Sequence, residues 1–306
     1  MESSLSNGLT YPLTLLLLVT GCRFKDLASS NYTADTANPF GSLSTSLTTS
    51  STTTDTAASS APPWWSPAIG NSWQWQIQGT LDLTLDVSMY SLDLFDTPAE
   101  TIAQIQSDGR AVICGFSTGT WEKSREDQSS FPMETRGVVV DGKPSERWLD
   151  IRDPVVQEAM EARMDLAVSI GCDGIQLNRA DGYAHKNGFG LTSKDQIDYN
   201  RSLAEAAHSR LLSVGLKDAL ALINDLEPSF DFAVNASCLI EDECPFLRPF
   251  LVADKAVFHV EYVEDEDEGP AMLEAICSEP SIKQFHTIVK TPRLNAWALP
   301  CNTSGT

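Results

Sequence analysis

Short apolar runs alternate with longer amphipathic stretches along the chain after about residue 64. The runs predict β-strands, and the stretches between them predict helices or loops. AVICGF is a continuous apolar run, which is typical of a strand buried on both faces. The predicted strands are LDLTLDVSMY (81–90), AVICGF (111–116), CDGIQL (172–177), LLSVGL (211–216), FDFAVN (230–235), KAVFHVEYV (255–263) and HTIVK (286–290).

Two of the predicted helices carry recognisable start signals. Asp153 followed by Pro154 predicts a capped helix, and apolar positions then recur at helical spacing as far as Gly171. Ser193 with Gln196 predicts a capping box ahead of a second helix that ends near Arg210.

The strand and helix alternation predicts the fold class. Over roughly 240 residues it indicates an α/β protein with a parallel sheet covered by helices. A closed (β/α)8 TIM-type barrel is the favoured architecture, and an open doubly wound sheet is the alternative. No GxGxxG or P-loop glycine pattern follows a predicted strand, which argues against nucleotide binding.

The first 63 residues differ in character from the rest. The apolar run LTLLLLVTG (13–21) falls short of the roughly 20 residues that span a bilayer, so residues 1–27 are predicted to be a secretory signal. An uncleaved anchor and a misread start are the alternatives, because no Lys or Arg precedes the run. Residues 28–63 are rich in Ser, Thr and Ala and predict a disordered linker. The folded domain is then expected at 64–301, with a tail at 302–306.

Charge and cysteine content narrow the class of protein. A formal net charge of −21 argues against a nucleic-acid partner, which requires a basic face. The cysteines that follow the signal are even in number, which suggests an oxidising compartment, so we expect a secreted or cell-surface protein. Membrane contact is expected only if the first segment stays uncleaved. Cys238 with Cys244, and Cys277 with Cys301, are the predicted disulfides, and Cys114 and Cys172 are interpreted as buried thiols.

Polar side chains follow several of the predicted strands. They are Asp93 and Asp96, residues 178–181, Lys217, residues 235–237, and Glu261 with Tyr262. In a barrel of this kind functional side chains project from the carboxyl ends of the strands. Carboxylates at that end, together with tryptophans, favour carbohydrate chemistry, although structural caps and turns would give a similar pattern. Neither a CxxC pair nor clustered histidines are present, so no metal or cofactor is predicted.

The order of these segments resembles glycoside hydrolase family 114, a family of (β/α)8-barrel enzymes that includes endo-α-1,4-galactosaminidases and proteins labelled α-galactosidases. The resemblance runs from Trp73 to about Cys301. The matching pieces are WQWQIQG (73–79), SLDLFDT (91–97), VICGFSTGTWEKSRED (112–127), ERWLDIRDPVV (146–156), GCDGI (171–175), ADGY (180–183), NGF (187–189), GLK (215–217), FDFAVN (230–235) and VFHVEY (257–262).

The departures from the family pattern affect its chemistry. The acidic stretch E-P-D-N-x-D stands here as QLNRAD (176–181), and N-E-Q-C stands as NASC (235–238). The resemblance therefore carries the two catalytic carboxylates of the family onto Asn178 and Ala236. Glycoside cleavage normally needs one carboxylic acid to protonate the leaving oxygen and one carboxylate on the other face of the sugar. An amide and a methyl group can do neither.

The resemblance implies a galactosamine- or galactose-containing polysaccharide as the ligand, and leaves two hypotheses open. In the first, the domain is a weakly active or inactive descendant that still binds such a polysaccharide. In the second, it is an active hydrolase in which Asp181 and Glu261 have taken over as a relocated carboxylate pair. For Glu261 a buried ion pair with Lys217 is the structural alternative. The predicted substrate-binding residues are Asp93, Asp173, Gln176, Lys217, Asn235 and Tyr262.

Overall fold

The computed structural model describes residues 61–301. The predicted signal at 1–27, the predicted linker up to residue 60 and the tail at 302–306 lie outside the described residues. The strands are β1 (Trp73–Trp75), β2 (Met89–Asp93), β3 (Ala111–Ser117), β4 (Thr120–Glu122), β5 (Arg136–Val140), β6 (Lys143–Leu149), β7 (Gly174–Asn178), β8 (Ser213–Lys217), β9 (Phe232–Ala236), β10 (Val257–Tyr262), β11 (His286–Lys290) and β12 (Leu299–Pro300). The α-helices are α1 (Ala99–Ser107), α2 (Pro154–Ile170), α3 (Ser193–Ser209), α4 (Ile223–Leu226), α5 (Arg248–Val252) and α6 (Gly269–Ile276).

Eight of the strands form one curled parallel sheet in the order β1-β2-β3-β7-β8-β9-β10-β11, and β12 adds to β11 in the antiparallel direction. The curl brings the two ends of the parallel set together. The indole Nε1 of Trp73 on β1 donates to the carbonyl oxygen of His286 on β11 at 2.8 Å. The amine of Lys290 on β11 likewise donates to Oε1 of Gln74 on β1 at 2.9 Å. The predicted α/β barrel architecture is therefore confirmed, with a seam between β1 and β11 that side chains bridge.

Two apolar clusters define the inner and outer faces of the barrel wall. Alternate residues of a strand point to opposite faces of a sheet. The inner cluster fills the barrel, and its members include Trp73, Trp75, Met89, Ile113, Phe232, Val234, Phe258, Val260 and Ile288. The residues between them, such as Tyr90, Ala233 and Val257, belong to the outer cluster that packs against the helices. The direction of each polar side chain at a strand end follows from this alternation.

The helix α2 begins and ends where its sequence signals predicted. The carboxylate of Asp153 accepts a hydrogen bond from the backbone N–H of Val155 at 3.0 Å, and Pro154 occupies the first turn. Gly171 ends the helix with a φ of 92°, a left-handed conformation that glycine adopts without steric cost. The capping box of α3 lies one residue before the predicted one, because Thr192 and Asp195 form it. Gln196 is instead buried and donates to Asn200.

The predicted strand at 81–90 is wrong for most of its length. Residues 81–88 form the loop between β1 and β2, and β2 begins only at Met89. Leu81, Leu83 and Val87 of this loop pack against the outer cluster. Its carbonyl groups accept hydrogen bonds from Arg110 and Tyr90, so the loop satisfies its backbone without a neighbouring strand. A three-stranded antiparallel sheet, ordered β4-β6-β5, was not predicted and is inserted between β3 and α2.

Disulfides join all six cysteines of the described region. The predicted pairs Cys238–Cys244 and Cys277–Cys301 are confirmed. The interpretation of Cys114 and Cys172 as free thiols is wrong, because they form a third disulfide that ties β3 to the segment before β7. Among residues 61–301, every helix is too short or too polar to cross a lipid bilayer.

Candidate active site

The carboxyl ends of the eight parallel strands form one face of the barrel, called here the mouth. At each exit the last side chain with the same direction as the inner cluster points toward the mouth. These residues are Trp75 on β1, Asp93 on β2, Ser117 on β3, Asn178 on β7, Lys217 on β8, Ala236 on β9, Tyr262 on β10 and Lys290 on β11. Five of the predicted site positions thus lie on one ring, namely Asp93, Asn178, Lys217, Ala236 and Tyr262.

An uncharged hydrogen-bond chain occupies the exit of β7. The hydroxyl of Ser91 donates to Oε1 of Gln176 at 3.1 Å, and Nε2 of Gln176 donates to Oδ1 of Asn178 at 2.7 Å. Ser91 and Gln176 are fully buried, whereas Asn178 is partly exposed. The amide nitrogen of Asn178 approaches Gly115, where an added Cβ would meet it at 3.4 Å. Each donor in this series of hydrogen bonds is matched by a neutral acceptor. None of the three side chains can therefore act as a general acid or base.

The carboxylate of Asp93 is engaged by its own loop and by a cation. Its Oδ1 accepts from the backbone N–H groups of Phe95 and Asp96 and from Nη1 of Arg125, the last at 2.9 Å, and its Oδ2 accepts from Nη2 of Arg125 at 2.5 Å. The carboxylate is therefore held in a bidentate pair, with three donors on one oxygen and one on the other. Arg125 also lies 3.4 Å from Glu122, whose pKa is raised by burial.

The exit of β9 carries a short side chain, Ala236, among hydrogen-bonded polar groups. Asn235 is buried, and its Oδ1 accepts from the backbone N–H of Cys238 at 3.1 Å. Its Nδ2 donates to Oδ1 of Asp218 at 3.2 Å, and the same oxygen lies 3.3 Å from the backbone nitrogen of Ala236. Nothing beyond Cβ projects from Ala236 itself, and Asn235 faces the outer side of the wall.

Glu261 does not face the mouth. It alternates with Val260 and Tyr262, which point inward, so its side chain lies outside the barrel wall. It is fully buried there, where Oε1 accepts from the backbone N–H of Leu239 at 2.8 Å and contacts Nε2 of His259 at 2.9 Å. The predicted partner, Lys217, contacts Asp218 instead. Glu261 thus supports the loop after β9 from behind.

Two further predicted residues lie away from the ring. Asp173 precedes β7, at the opposite end of the barrel, and accepts from the backbone N–H of Val112 at 2.8 Å. Asp181 lies beyond the exit of β7 at the rim, with its carboxylate 3.1 Å from Nε2 of His185. Asp181 and Glu261 therefore differ in setting, since Asp181 is partly exposed at the rim whereas Glu261 is fully buried behind the wall.

The exits of β10 and β11 carry buried polar groups beside each other. Tyr262 is in register with Lys290, and burial, with the charges of Asp218 and Glu261, raises the pKa of its phenol. The amine of Lys290 is fully buried, and burial lowers its pKa to about 7. Besides Gln74, it donates to the backbone carbonyl of Asn295 at 2.9 Å.

Comparisons with known proteins agree with this architecture. The profile described as Glycoside-hydrolase family GH114 matches residues 53–306. The chain belongs to glycoside hydrolase family 114. No curated protein matches it.

Solved structures show the same fold. Ega3 of Aspergillus fumigatus, crystallised in complex with galactosamine, is 35% identical, with 78% of this chain and 97% of that chain covered at a TM-score of 0.74. The glycoside hydrolase domain of PelA from Pseudomonas aeruginosa is 12% identical, with coverage of 74% and 96% and a TM-score of 0.58, a likeness in fold alone.

In this family 114 barrel, the two positions predicted to correspond to the catalytic carboxylates of the family both point toward the mouth. They hold an amide at Asn178 and a methyl group at Ala236. Among residues 61–301, one set of metal-ligating side chains clusters closely, with ligand atoms of Cys238, Cys244 and His259 within 4.8 Å of one another. The two cysteines form a disulfide, so neither offers the thiolate that a metal requires.

One carboxylate of the mouth, Asp218, is not among the predicted site residues. Asp218 follows Lys217 at the exit of β8, and its side chain contacts the amine of Lys217. Its backbone is left-handed, with a φ of 57°, and that of Ala219 is also left-handed at 53°. The rule that selected Lys217 at a strand exit applies equally to the next residue, so the signal was present in the sequence.

Proposed function

We propose that this family 114 domain is a secreted or cell-surface binder of galactosamine- or galactose-containing polysaccharide that has lost most or all hydrolytic activity. One observation carries the proposal. The inward-pointing positions 178 and 236 hold no titrating group, and the carboxylates near them contact cations, Asp93 with Arg125 and Asp218 with Lys217. Without an acid to protonate the leaving oxygen, cleavage loses roughly 10² to 10⁴ in rate for each missing group.

Retained polar and aromatic groups support binding. Lys217 lies 5.6 Å from the centre of the Trp75 ring, and Tyr262 and Asp218 lie on the same side of the mouth. Sugar rings are held by such mixtures of aromatic faces and convergent polar groups. Ega3, the relative of known structure, was crystallised with galactosamine, which makes this sugar the first ligand class to test.

The relocated-pair hypothesis has little geometric support. It requires the carboxyl groups of Asp181 and Glu261 to lie about 5 to 9.5 Å apart across one sugar. Glu261 is fully buried on the outer side of the wall, and its Oε1 already binds Leu239 and His259. A hydrolase that uses this pair would have to refold the β9 loop.

The test is a paired binding and hydrolysis assay on the full chain, with Ega3 as the active control. We expect the wild-type chain to bind galactosamine polymer in calorimetry while releasing no reducing ends. The double variant Asn178→Asp, Ala236→Glu is expected to release them. Hydrolysis by the wild-type chain that is abolished by Asp181→Asn or Glu261→Gln would overturn the proposal in favour of the relocated pair.

A further inference from the structure

The carboxylates at the inner ring of the mouth contact cations, although the chain as a whole is strongly acidic at −21. Asp93 and Asp218 each have such a partner, and Arg125, the partner of Asp93, also contacts Asp96 and Glu122 at 3.2 and 3.4 Å. Asp93 is held by Arg125 in a bidentate pair whose two side chains are only 14% and 15% exposed. Asp218 contacts the amine of Lys217, with exposures of 37% and 16%.

A strained turn orients the carboxylate of Asp218 toward Ala236. Left-handed φ values at two consecutive residues other than glycine are uncommon and occur where the surrounding structure enforces them. The turn lets Oδ1 reach Asn235 Nδ2 and the backbone nitrogen of Ala236, at 3.2 and 3.3 Å. Asp218 therefore places a carboxylate beside position 236 together with the cation that neutralises it.

A free amino sugar carries an ammonium group, and such a ligand binds well where a carboxylate lacks a cation. At this mouth a ligand ammonium would have to displace the amine of Lys217 from Asp218, or lie beside it and be repelled. A neutral sugar meets no such cost. Its hydroxyl can fill the remaining acceptor site of Asp218 while Lys217 donates to a neighbouring oxygen.

We propose that the mouth selects uncharged sugar units, N-acetylated galactosamine or neutral galactose, over galactosamine with a free amine. The inference rests on the proposed binding function and names the ligand class of that site. It concerns the inner ring, where pairs such as Asp93 with Arg125 are shielded from solvent.

The outer rim has the opposite electrostatics. The acidic run at residues 264–268 follows β10 at the same end of the barrel, and its side chains are solvent-exposed. Exposed charges attract a polycation mainly at low salt, because the Debye length shrinks to about 8 Å at 0.15 M ionic strength. Any attraction of the rim for a cationic polymer is therefore expected to fade with salt, while the selectivity of the ring persists.

The experiment measures calorimetric affinities of the full chain for galactosamine oligosaccharides before and after N-acetylation, at 0.15 M and 0.5 M salt. The wild-type chain is expected to bind the acetylated form at least fivefold more tightly at both salt concentrations. Lys217→Gln leaves Asp218 without its cation, so the ratio is expected to shift toward the free amine by about tenfold.

Lys194→Gln is the matched control. It removes the same charge from an exposed pair with Asp198 on α3, and it should leave the ratio unchanged. Tighter binding of the free amine by the wild-type chain at both salt concentrations would overturn the inference while the binding function stands. Binding of neither oligosaccharide, by a chain that remains folded, would overturn the proposed function and the inference together.

Discussion

The exits of β7 and β9 differ in how each departs from the acidic pattern of the family. At the exit of β7, Asn178 keeps the shape of an aspartate and accepts a hydrogen bond from Gln176 at 2.7 Å. At the exit of β9, Ala236 keeps nothing beyond Cβ, yet Asn235, Glu261 and the disulfide at Cys238 still fix the loop around it. The inward positions at these two exits hold no titrating group, while outward residues make buried contacts that support the same strand ends.

Acids introduced together at positions 178 and 236 should raise the rate of hydrolysis far more than either acid alone. We expect Asn178→Asp with Ala236→Glu to hydrolyse galactosamine polymer at least 10²-fold faster than either single variant, because groups that act on one bond are strongly non-additive. Reducing-end release against polymer gives the rates. A single Asn178→Asp variant as active as the double would show that another carboxylate already serves in place of position 236.

Removal of the outward-facing carboxylate of Glu261 should lower the stability of the fold rather than change its catalytic chemistry. Glu261→Ala leaves the backbone N–H of Leu239 and the ring of His259 without their acceptor inside a fully buried site. We expect the free energy of unfolding to fall by about 3 kcal/mol, as for other broken buried polar pairs.

Denaturant unfolding of Glu261→Ala beside Asp181→Ala measures this difference. Asp181 and its partner His185 are 28% and 44% exposed at the rim, so the control should lose no more than about 0.5 kcal/mol. Equal losses from the two variants would contradict the assignment of Glu261 to a supporting role.

The predicted strands correspond to seven of the eight parallel strands, all except β1, but the sequence could not assign side-chain directions. In KAVFHVEYV both faces of the strand are buried, so the two-residue periodicity that marks an inner face is hidden. Glu261 and Tyr262 are adjacent, and only the packing of Val260 and Phe258 in the inner cluster shows which of the two points inward. The prediction that Glu261 lies at the mouth is therefore wrong, because its side chain lies behind the barrel wall.

Two other features depended on tertiary geometry. Asp218 reaches position 236 through a left-handed turn that local sequence does not announce, because neither Asp218 nor Ala219 is a glycine. Cys114 and Cys172 are 58 residues apart and both read as apolar strand positions, and only the pairing of β3 with β7 brings them together. The helix signals, by contrast, are local, and Asp153 and Gly171 act as predicted.

The exit of β11 offers a test that involves neither Asn178 nor Ala236. Burial lowers the pKa of Lys290 to about 7 from 10.5, so the unfolded chain binds more protons than the folded chain between those values. Stability should therefore rise with pH, by about 2 kcal/mol between pH 7 and pH 9 relative to Lys290→Met. Parallel pH dependences of unfolding in the two proteins would show that Lys290 is solvated.

The smallest expected effect is on stability and concerns the two amides at the exit of β7. Asn178→Asp alone should change the free energy of unfolding by no more than about 0.5 kcal/mol, because Nε2 of Gln176 already donates to the oxygen at that place. Adding Gln176→Glu removes the donor and sets two carboxylates against each other inside a site where Gln176 is fully buried. The pair should then cost at least 1 kcal/mol more than the sum of the single variants, and a double-mutant cycle by denaturant unfolding measures that coupling. Additive losses would mean that the amides at 176 and 178 are independent, whereas coupling would show that an acid at 178 is tolerated only while residue 176 is neutral.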